Sequence, residues 1–238
     1  MEGLYGVNHI IFLAGFVLLL TVTVLVICFA LKTQKQKDVF VRILGALLAI
    51  SLVINRISLA LWNAQKIGWL ELIPNTYCGM TSLLLGLFAL FGKPHHKAFD
   101  FLFYVELFGG VACLVYSNFL LQGPKPHPTF WFFPTFTGML HHALGVILCV
   151  SLVLCKWFSP SLKRWYIFPI GMGVYTLFGL FLLDVLHIRH TMQIDDPLLP
   201  HTPLKWWLVI PIATAIETLV SFVTERIVAA VQRKRTQE

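Results

Sequence analysis

The stretch HIIFLAGFVLLLTVTVLVICFAL, residues 9–31, decides the fold class, because its 23 residues include no Asp, Glu, Lys or Arg. A helix rises 1.5 Å per residue, so about 20 apolar residues cross the roughly 30 Å of hydrocarbon in a bilayer. A signal peptide has a basic region before its apolar stretch and a small-residue cleavage site after it, and this stretch has neither. We therefore expect it to be a retained transmembrane helix.

The rest of the chain has the same character. It is 58% hydrophobic and 12% charged, whereas soluble domains are roughly 25% charged. No alternating apolar and polar pattern predicts a barrel, and no internal repeat is evident. The sequence predicts an all-α, polytopic membrane helix bundle that forms a single transmembrane domain over residues 1–238. The seven predicted spans lie near 9–31, 39–62, 73–91, 100–121, 134–156, 166–187 and 206–229.

The basic residues predict an orientation. With the N-terminus outside, 13 of the 18 Lys and Arg residues fall at cytoplasmic ends of the spans and five at outer ends. Because cytoplasmic loops carry the excess of Lys and Arg, we expect the N-terminus outside and the C-terminus in the cytoplasm. The net charge of +7 then reflects topology and attraction to anionic lipid, and it does not indicate a nucleic-acid partner.

Polar and small residues recur at spacings of three and four, which places them on single helix faces. Such residues within a span face the bundle interior, where they hydrogen-bond and allow close helix packing. At 1.5 Å per residue they converge on the outer half of the bundle, which predicts a polar cavity open to the outer leaflet. The predicted inward faces comprise Ser51, Asn55 and Ser58; Asn75, Cys78 and Ser82; Glu106, Gly110, Cys113 and Ser117; Thr135, Gly138, His142, Gly145 and Cys149; Thr176, Asp184 and His187; and Thr214, Glu217, Thr218 and Ser221.

Two adjacent histidines occur in one apolar run, FTGMLHHALGVIL (136–148). Neighbouring residues of a helix point about 100° apart, so the two imidazoles cannot have the same role. His142 shares its face with Gly138, Gly145 and Cys149 and is predicted to point inward, whereas His141 can reach Thr137 or a neighbouring helix. A hydrogen-bonding strut between helices is the alternative for either histidine.

All five cysteines lie in predicted spans, so a disulfide framework is not expected. A buried cysteine usually behaves as a small hydrophobic residue, and we read four of the five in that way. Cys78 is the exception, because it accompanies a histidine and carboxylate candidates at a similar depth.

Three segments carry a family resemblance: IPNTYCGMTSLLLGLFALFGK (73–93), FWFFPTFTGMLHHALGVIL (130–148) and HTMQIDDP (190–197). They resemble the YwaF family of bacterial integral membrane proteins, in which a proline precedes a cysteine by four residues and a later helix carries a histidine. The wider superfamily includes the eukaryotic transmembrane protein 164, regarded as a cysteine-dependent acyltransferase acting on ether phospholipids. In this chain Thr76 replaces the family's histidine between proline and cysteine, and His190-Thr191-Met192 replaces Asn-Tyr-Met.

The resemblance implies a thiol–imidazole site for acyl transfer in a bacterial cell membrane, with a membrane phospholipid as partner and no cofactor. Cys78 would be the nucleophile and His142 the general base, with Thr76 as the alternative nucleophile and His141 as the alternative base. Whether such a protein is a phospholipid acyltransferase or a hydrolase is left open by the sequence, as is its oligomeric state.

The residues themselves suggest the remaining roles at such a site. Asp184 or Glu217 can orient the imidazole, and an amide can stabilise the oxyanion. Arg56 can meet a lipid phosphate by extending toward the headgroups. The candidate amide donors are Asn55, Asn75 and Asn118.

Two other functions are compatible with the sequence. One is a transporter or a solute- or lipid-binding protein without catalysis. Carboxylates at successive depths in the bundle could form a path for a proton or cation, and the three candidates are Glu106, Glu217 and Asp184. A lateral groove between helices would favour lipid chemistry, whereas an axial path would favour transport. Zinc binding is conceivable near the last outer loop, although the spacing matches no zinc signature and no metal ligand is predicted with any weight. The residues concerned are His187, His190, Asp195, Asp196 and His201.

Overall fold

The computed structural model describes residues 6–63, 68–116, 131–189, 191–192, 194 and 206–235. Over these residues the chain is all-helical, with seven α-helices that match the seven predicted apolar spans in order. Short 3₁₀ segments precede α3 and α6, at Gly68–Leu72 and Leu162–Arg164. The helices are α1 (Val7–Leu25, continued by a π-helical turn at Val26–Ala30), α2 (Gln34–Trp62), α3 (Tyr77–Phe91), α4 (Phe99–Val115), α5 (Phe133–Leu154), α6 (Ile167–Asp184) and α7 (Trp206–Arg235).

Four helical segments within the described residues are long and apolar enough to cross a membrane: Val7–Ala30, Gln34–Trp62, Phe133–Leu154 and Leu162–Asp184. α3 is also apolar but has only 15 residues. The prediction of an all-α membrane protein is therefore confirmed. The count of seven spans and their orientation stay predictions.

The helix ends differ from the ends of the apolar runs. α2 begins at Gln34, before the predicted span, because Thr33 and Gln36 form a capping box. Gln36 N donates to Thr33 Oγ1 at 3.3 Å, and Thr33 N donates to Gln36 Oε1 at 3.0 Å. Hydropathy marks the part of a helix that suits hydrocarbon, whereas local hydrogen bonds decide where the helix starts.

The chain divides into two compact units. The first consists of Met1–His96 with Val105–Phe158, and the second of Lys97–Tyr104 with Ser159–Glu238. α4 therefore begins in the second unit and continues in the first from Val105. The single transmembrane domain over residues 1–238 stays a prediction.

In the first unit, α2 and α3 pack closely through small residues. A Cβ added at Gly45 would lie 2.8 Å from both Ala89 Cβ and Gly86 O, and one added at Gly86 would lie 2.9 Å from Gly45 O. Backbones approach this closely only where side chains are absent or small. The contact fixes α3, and with it Cys78, against α2.

α5 is the most buried helix of the first unit, and it packs against α1, α2 and α3. Asn55 of α2 donates from Nδ2 to Pro134 O at 2.9 Å and to Thr137 Oγ1 at 3.0 Å, which joins α2 to the start of α5. α1 has few polar residues and is exposed along most of its length. One exception is the buried His9, whose Nε2 lies 2.8 Å from Leu114 O.

The second unit combines the first turns of α4 with α6 and α7. Arg164 Nε donates to Asp100 Oδ1 at 2.9 Å, forming an ion pair. The Phe101 ring packs directly on Gly171, where an added Cβ would lie 2.4 Å from Phe101 Cγ. Tyr104 and Ser221 are hydrogen-bonded through their hydroxyl groups.

Candidate functional site

The start of α3 positions Cys78. Thr76 is the N-cap residue, and its Oγ1 accepts a hydrogen bond from Gly79 N at 3.1 Å. Ser and Thr are favoured at this position because the side chain satisfies one of the free N–H groups of the first turn. Cys78 thus lies in the first turn of α3 and is half-buried. The cap gives Thr76 a structural role, and its role as a nucleophile stays a prediction.

Glu106 and Cys113 come from one face of α4, since residues seven apart make two helical turns. Glu106 is fully buried, and its two carboxylate oxygens accept from Ser82 Oγ at 3.0 and 2.8 Å. The prediction that Glu106 points inward and pairs with a polar neighbour is confirmed. Ser82 is one turn after Cys78, so this bond joins α3 and α4 directly beneath the cysteine.

His141 and His142 on α5 are both buried, and their ring centroids are 4.2 Å apart. His141 Nδ1 donates to Thr137 O at 3.2 Å, within its own helix, as the sequence allowed. His142 Nδ1 is buried and has no hydrogen-bond partner among the described residues. The two imidazoles therefore differ: His141 is held by the backbone, and His142 keeps an unsatisfied nitrogen.

Three helices bring two thiols and an imidazole together. Cys78 Sγ, Cys113 Sγ and a ring nitrogen of His142 all lie within 4.8 Å of one another. The predicted proximity of Cys78 and His142 is therefore observed, at a separation that one water molecule can bridge. The roles of these two residues in catalysis stay predictions.

Two glycines make room for this cluster. A Cβ at Gly109 would lie 2.7 Å from Cys78 Sγ, so α4 has no side chain where the sulfur sits. A Cβ at Gly145 would lie 1.8 Å from Glu106 Oε1, so the carboxyl group rests on the bare backbone of α5. Gly145 follows His142 by three residues, which places Glu106 about one turn from the imidazole on the same face.

The candidate lipid-binding residues of the first unit lie near the start of α3. Arg56 is buried and forms an ion pair with Glu71 at 3.2 Å. Its Nη2 also donates to Ile73 O at 2.8 Å and to Asn75 Oδ1 at 3.1 Å. Arg56 therefore braces the segment that leads into α3, and the Asn55 amide joins α2 to α5. Their predicted contacts with substrate remain untested.

Two apolar grooves run along α2. The first has a volume of about 270 Å³, and the second about 420 Å³. The first groove is lined by Leu52, Val53, Arg56, Ile57, Leu72, Pro74 and Leu83. The second is lined by Ile54, Ile57, Ser58, Leu61, Trp62, Phe132, Phe133 and Pro134. Pro74 opens the segment that leads to Cys78, so the first groove adjoins the start of α3.

The other two predicted carboxylates belong to the second unit. Asp184 ends α6 and is exposed, and Glu217 on α7 is buried. Glu217 Oε1 accepts from Ser221 Oγ at 3.0 Å. The role of either carboxylate as a partner of His142 stays a prediction. Asn118 lies outside the described residues, as do four of the five conceivable zinc ligands near the last outer loop, and the fifth, His187, is exposed.

A comparison with known protein families matches residues 4–223. The chain belongs to the TMEM164 family. No curated protein and no solved structure matches it. The TMEM164 assignment supports an integral membrane protein, and the resemblance to the YwaF family in particular stays a prediction.

Sequence reasoning missed one residue of the candidate site. The sequence places Cys113 on an inward face and predicts for it only the role of a small hydrophobic residue. The seven-residue spacing from Glu106 tells which face of α4 carries Cys113, but it does not tell which residues of other helices lie beside that face. The proximity of Cys113 to Cys78 depends on the position of α4 beside α3 and α5. The periodicity of the sequence does not predict that position.

Proposed function

We propose that this protein is a cysteine/histidine-dependent enzyme that transfers an acyl group from a membrane phospholipid. The observation that carries the proposal is the Cys78–His142 pair, a thiol within 4.8 Å of an imidazole inside a membrane helix bundle. A thiol becomes an effective nucleophile when a base lies within reach, directly or through one water. The family-like position of both residues supports the same chemistry.

The proposed reaction has two halves. In the first, His142 takes the proton of the Cys78 thiol, and the sulfur attacks the ester carbonyl carbon of the phospholipid. The C–O bond then breaks, the protonated imidazole returns its proton to the departing glycerol oxygen, and an acyl thioester remains on Cys78. In the second half, a hydroxyl oxygen attacks the thioester, and His142 passes the hydroxyl proton to the departing sulfur.

The attacking hydroxyl distinguishes a hydrolase from a transferase. Water gives a free fatty acid, whereas the hydroxyl of a lysophospholipid gives a new ester. Both reactions use the same thioester and neither needs a cofactor. The tetrahedral oxyanion in each half requires a hydrogen-bond donor, for which Asn75 at the start of α3 is the proposed residue.

Lipid substrates are favoured by the grooves along α2. Both are apolar. The exposed Ile57 lines both grooves, and the exposed Leu61 and Trp62 line the second. A lateral groove of this kind suits an acyl chain that enters from the bilayer. Tryptophan at the end of a membrane helix is typical of the membrane–water interface, where the ester bonds of phospholipids lie.

We further propose the finer assignments that the sequence suggests. The protein would be of the YwaF type, with seven spans in a bacterial cell membrane and the site in the outer half of the bundle. Asp184 or Glu217 would orient the imidazole, and Arg56 would act near the lipid headgroup. Thr76 with either histidine is the alternative pair if Cys78 is not the nucleophile.

The test is an acyl-transfer assay on the purified chain in mixed micelles of detergent and phospholipid, with lysophospholipid present or absent. Cys78→Ala should abolish transfer, and His142→Ala should lower it by about 10²–10⁴-fold, the usual contribution of a general base. His141→Ala should have a smaller effect, because its ring is held by Thr137 O.

Cys28→Ala is the matched control, since Cys28 is exposed at the end of α1 and lies outside the cluster. It should behave as the unmodified protein. Full activity of Cys78→Ala would refute the proposed nucleophile. Equal loss from both histidine variants, together with poor membrane expression, would instead indicate that the histidines are struts.

A further inference from the structure

The cluster of Cys78, Cys113 and His142 contains one more functional group than acyl transfer needs. The proposed reaction uses one thiol and one imidazole, yet a second thiol from α4 lies within 4.8 Å of both. All the cysteines are free, so the two sulfurs are not joined in a disulfide. The second thiol calls for a separate explanation.

The donor set is that of a soft or borderline metal ion. Thiolate and imidazole are the ligands of zinc, with bonds of about 2.3 Å to sulfur and 2.0–2.1 Å to nitrogen. Tetrahedral geometry then puts two sulfurs about 3.8 Å apart. The two sulfurs lie within 4.8 Å of each other, so they must approach by at most roughly 1 Å to bind one ion. Magnesium and calcium prefer oxygen ligands and do not suit the cluster.

A second observation points to a ligand. His142 Nδ1 is buried and finds no hydrogen-bond partner among the residues that the structure describes. Buried polar atoms are nearly always satisfied, so an unsatisfied one indicates a missing partner. Nδ1 would then be the ring nitrogen that binds the metal ion, and the bond would satisfy it.

We propose that Cys78, Cys113 and His142 form a three-ligand site for Zn²⁺ or a similar thiophilic divalent ion. Binding replaces the two thiol protons by two metal–sulfur bonds and releases both protons to solvent. Three protein ligands leave a fourth position for water. The consequence for activity rests on the proposed function: a metal held by Cys78 and His142 blocks both the nucleophile and the base, so zinc inhibits acyl transfer reversibly.

The test uses Co²⁺ as a spectroscopic probe of the full chain, reduced and stripped of metal in detergent. We expect one equivalent of Co²⁺ to give thiolate-to-cobalt charge transfer and the visible bands of a tetrahedral site, and Zn²⁺ to displace it. Cys113→Ser and His142→Ala should each weaken binding by at least about tenfold, since even the loss of a supporting residue costs that much. Cys28→Ser, which changes a cysteine outside the cluster, should bind as the unmodified protein does.

Absence of the charge-transfer band, or Co²⁺ binding that Cys113→Ser leaves unchanged, would overturn the proposal. Cys113→Ser guards against misfolding because it changes one atom, and its gel-filtration profile reports on the fold. Cobalt binding without any acyl transfer would support the metal site and refute the proposed enzyme. Acyl transfer that saturating Zn²⁺ does not inhibit would refute the inference that both share Cys78 and His142.

Discussion

His141 and His142 are neighbours on α5, the most buried helix of the first unit. The sequence predicted that His142 points inward because glycines share its face, and it is buried. His141, about 100° away, is buried as well, since α5 is covered on most sides. Periodicity gives the relative directions of two side chains. It does not tell whether a helix has one buried face or several.

Arg56 makes contacts that its position in α2 alone does not predict. Its depth in α2 predicts contact with a lipid headgroup, which stays a prediction. In the structure its guanidinium group donates to Glu71, Ile73 O and Asn75. That arrangement depends on the 3₁₀ segment Gly68–Leu72, which carries Glu71 back toward α2. No sequence period encodes such a return of the chain.

Gly109→Ala tests the geometry of the cysteine directly. The new Cβ would lie 2.7 Å from Cys78 Sγ, where ordinary contacts begin near 3.4 Å, so the sulfur must move. Acyl transfer should fall by about 100-fold, the effect of a misplacement of roughly 1 Å at a reacting group. The fold should be retained, because alanine is the better helix former by about 1 kcal/mol.

Gly15→Ala is the matched control for this substitution. Gly15 is also helical, in α1, and nothing lies within 4 Å of a Cβ at that position. The measurements are turnover and thermal unfolding for both variants. If Gly109→Ala is as active as Gly15→Ala, then the position of Cys78 Sγ beside α4 does not matter for the reaction.

Among the helices, the apolar runs of the sequence predict both their number over the described residues and their order. Seven apolar runs correspond to seven helices over the described residues, and four of the helical segments have the length and apolar composition that a bilayer requires. The boundaries were less well predicted. α3 begins at Tyr77 rather than 73, since Thr76 supplies the N-cap, and α7 extends to the polar Arg235.

The sequence does not predict which helices pack against each other. Gly45 and Gly86 each mark a face suited to close packing, but only the fold pairs them with each other. The same holds for Ser82 with Glu106, a hydrogen bond between α3 and α4. The faces of the candidate site were therefore predictable, whereas the set of residues that meet there was not.

For the whole molecule, the distribution of basic residues is the argument for orientation. Thirteen of the 18 Lys and Arg residues lie at predicted cytoplasmic ends, and such residues resist transfer across the membrane. Hydrophobic packing between the helices is the same in either orientation. The packing of the bundle therefore does not tell which end of the chain faces the cytoplasm.

Labelling of introduced cysteines tests the orientation. In intact cells, a membrane-impermeant maleimide should modify Glu2→Cys, near the start of the chain, and should modify Arg233→Cys only after permeabilisation. The unmodified protein controls for labelling of the five natural cysteines. Modification of Arg233→Cys in intact cells would reverse the predicted topology and move the site to the inner leaflet.

In the proposed mechanism, Cys78 carries the acyl group during turnover. The most direct measurement is intact-protein and peptide mass spectrometry after acid quenching of the protein with phospholipid of one defined acyl chain. We expect a mass increase of one acyl group on the peptide that contains Cys78, removable by neutral hydroxylamine and absent in Cys78→Ala. An acyl group on Thr76 or on another residue, or active turnover with Cys78 never acylated, would contradict it.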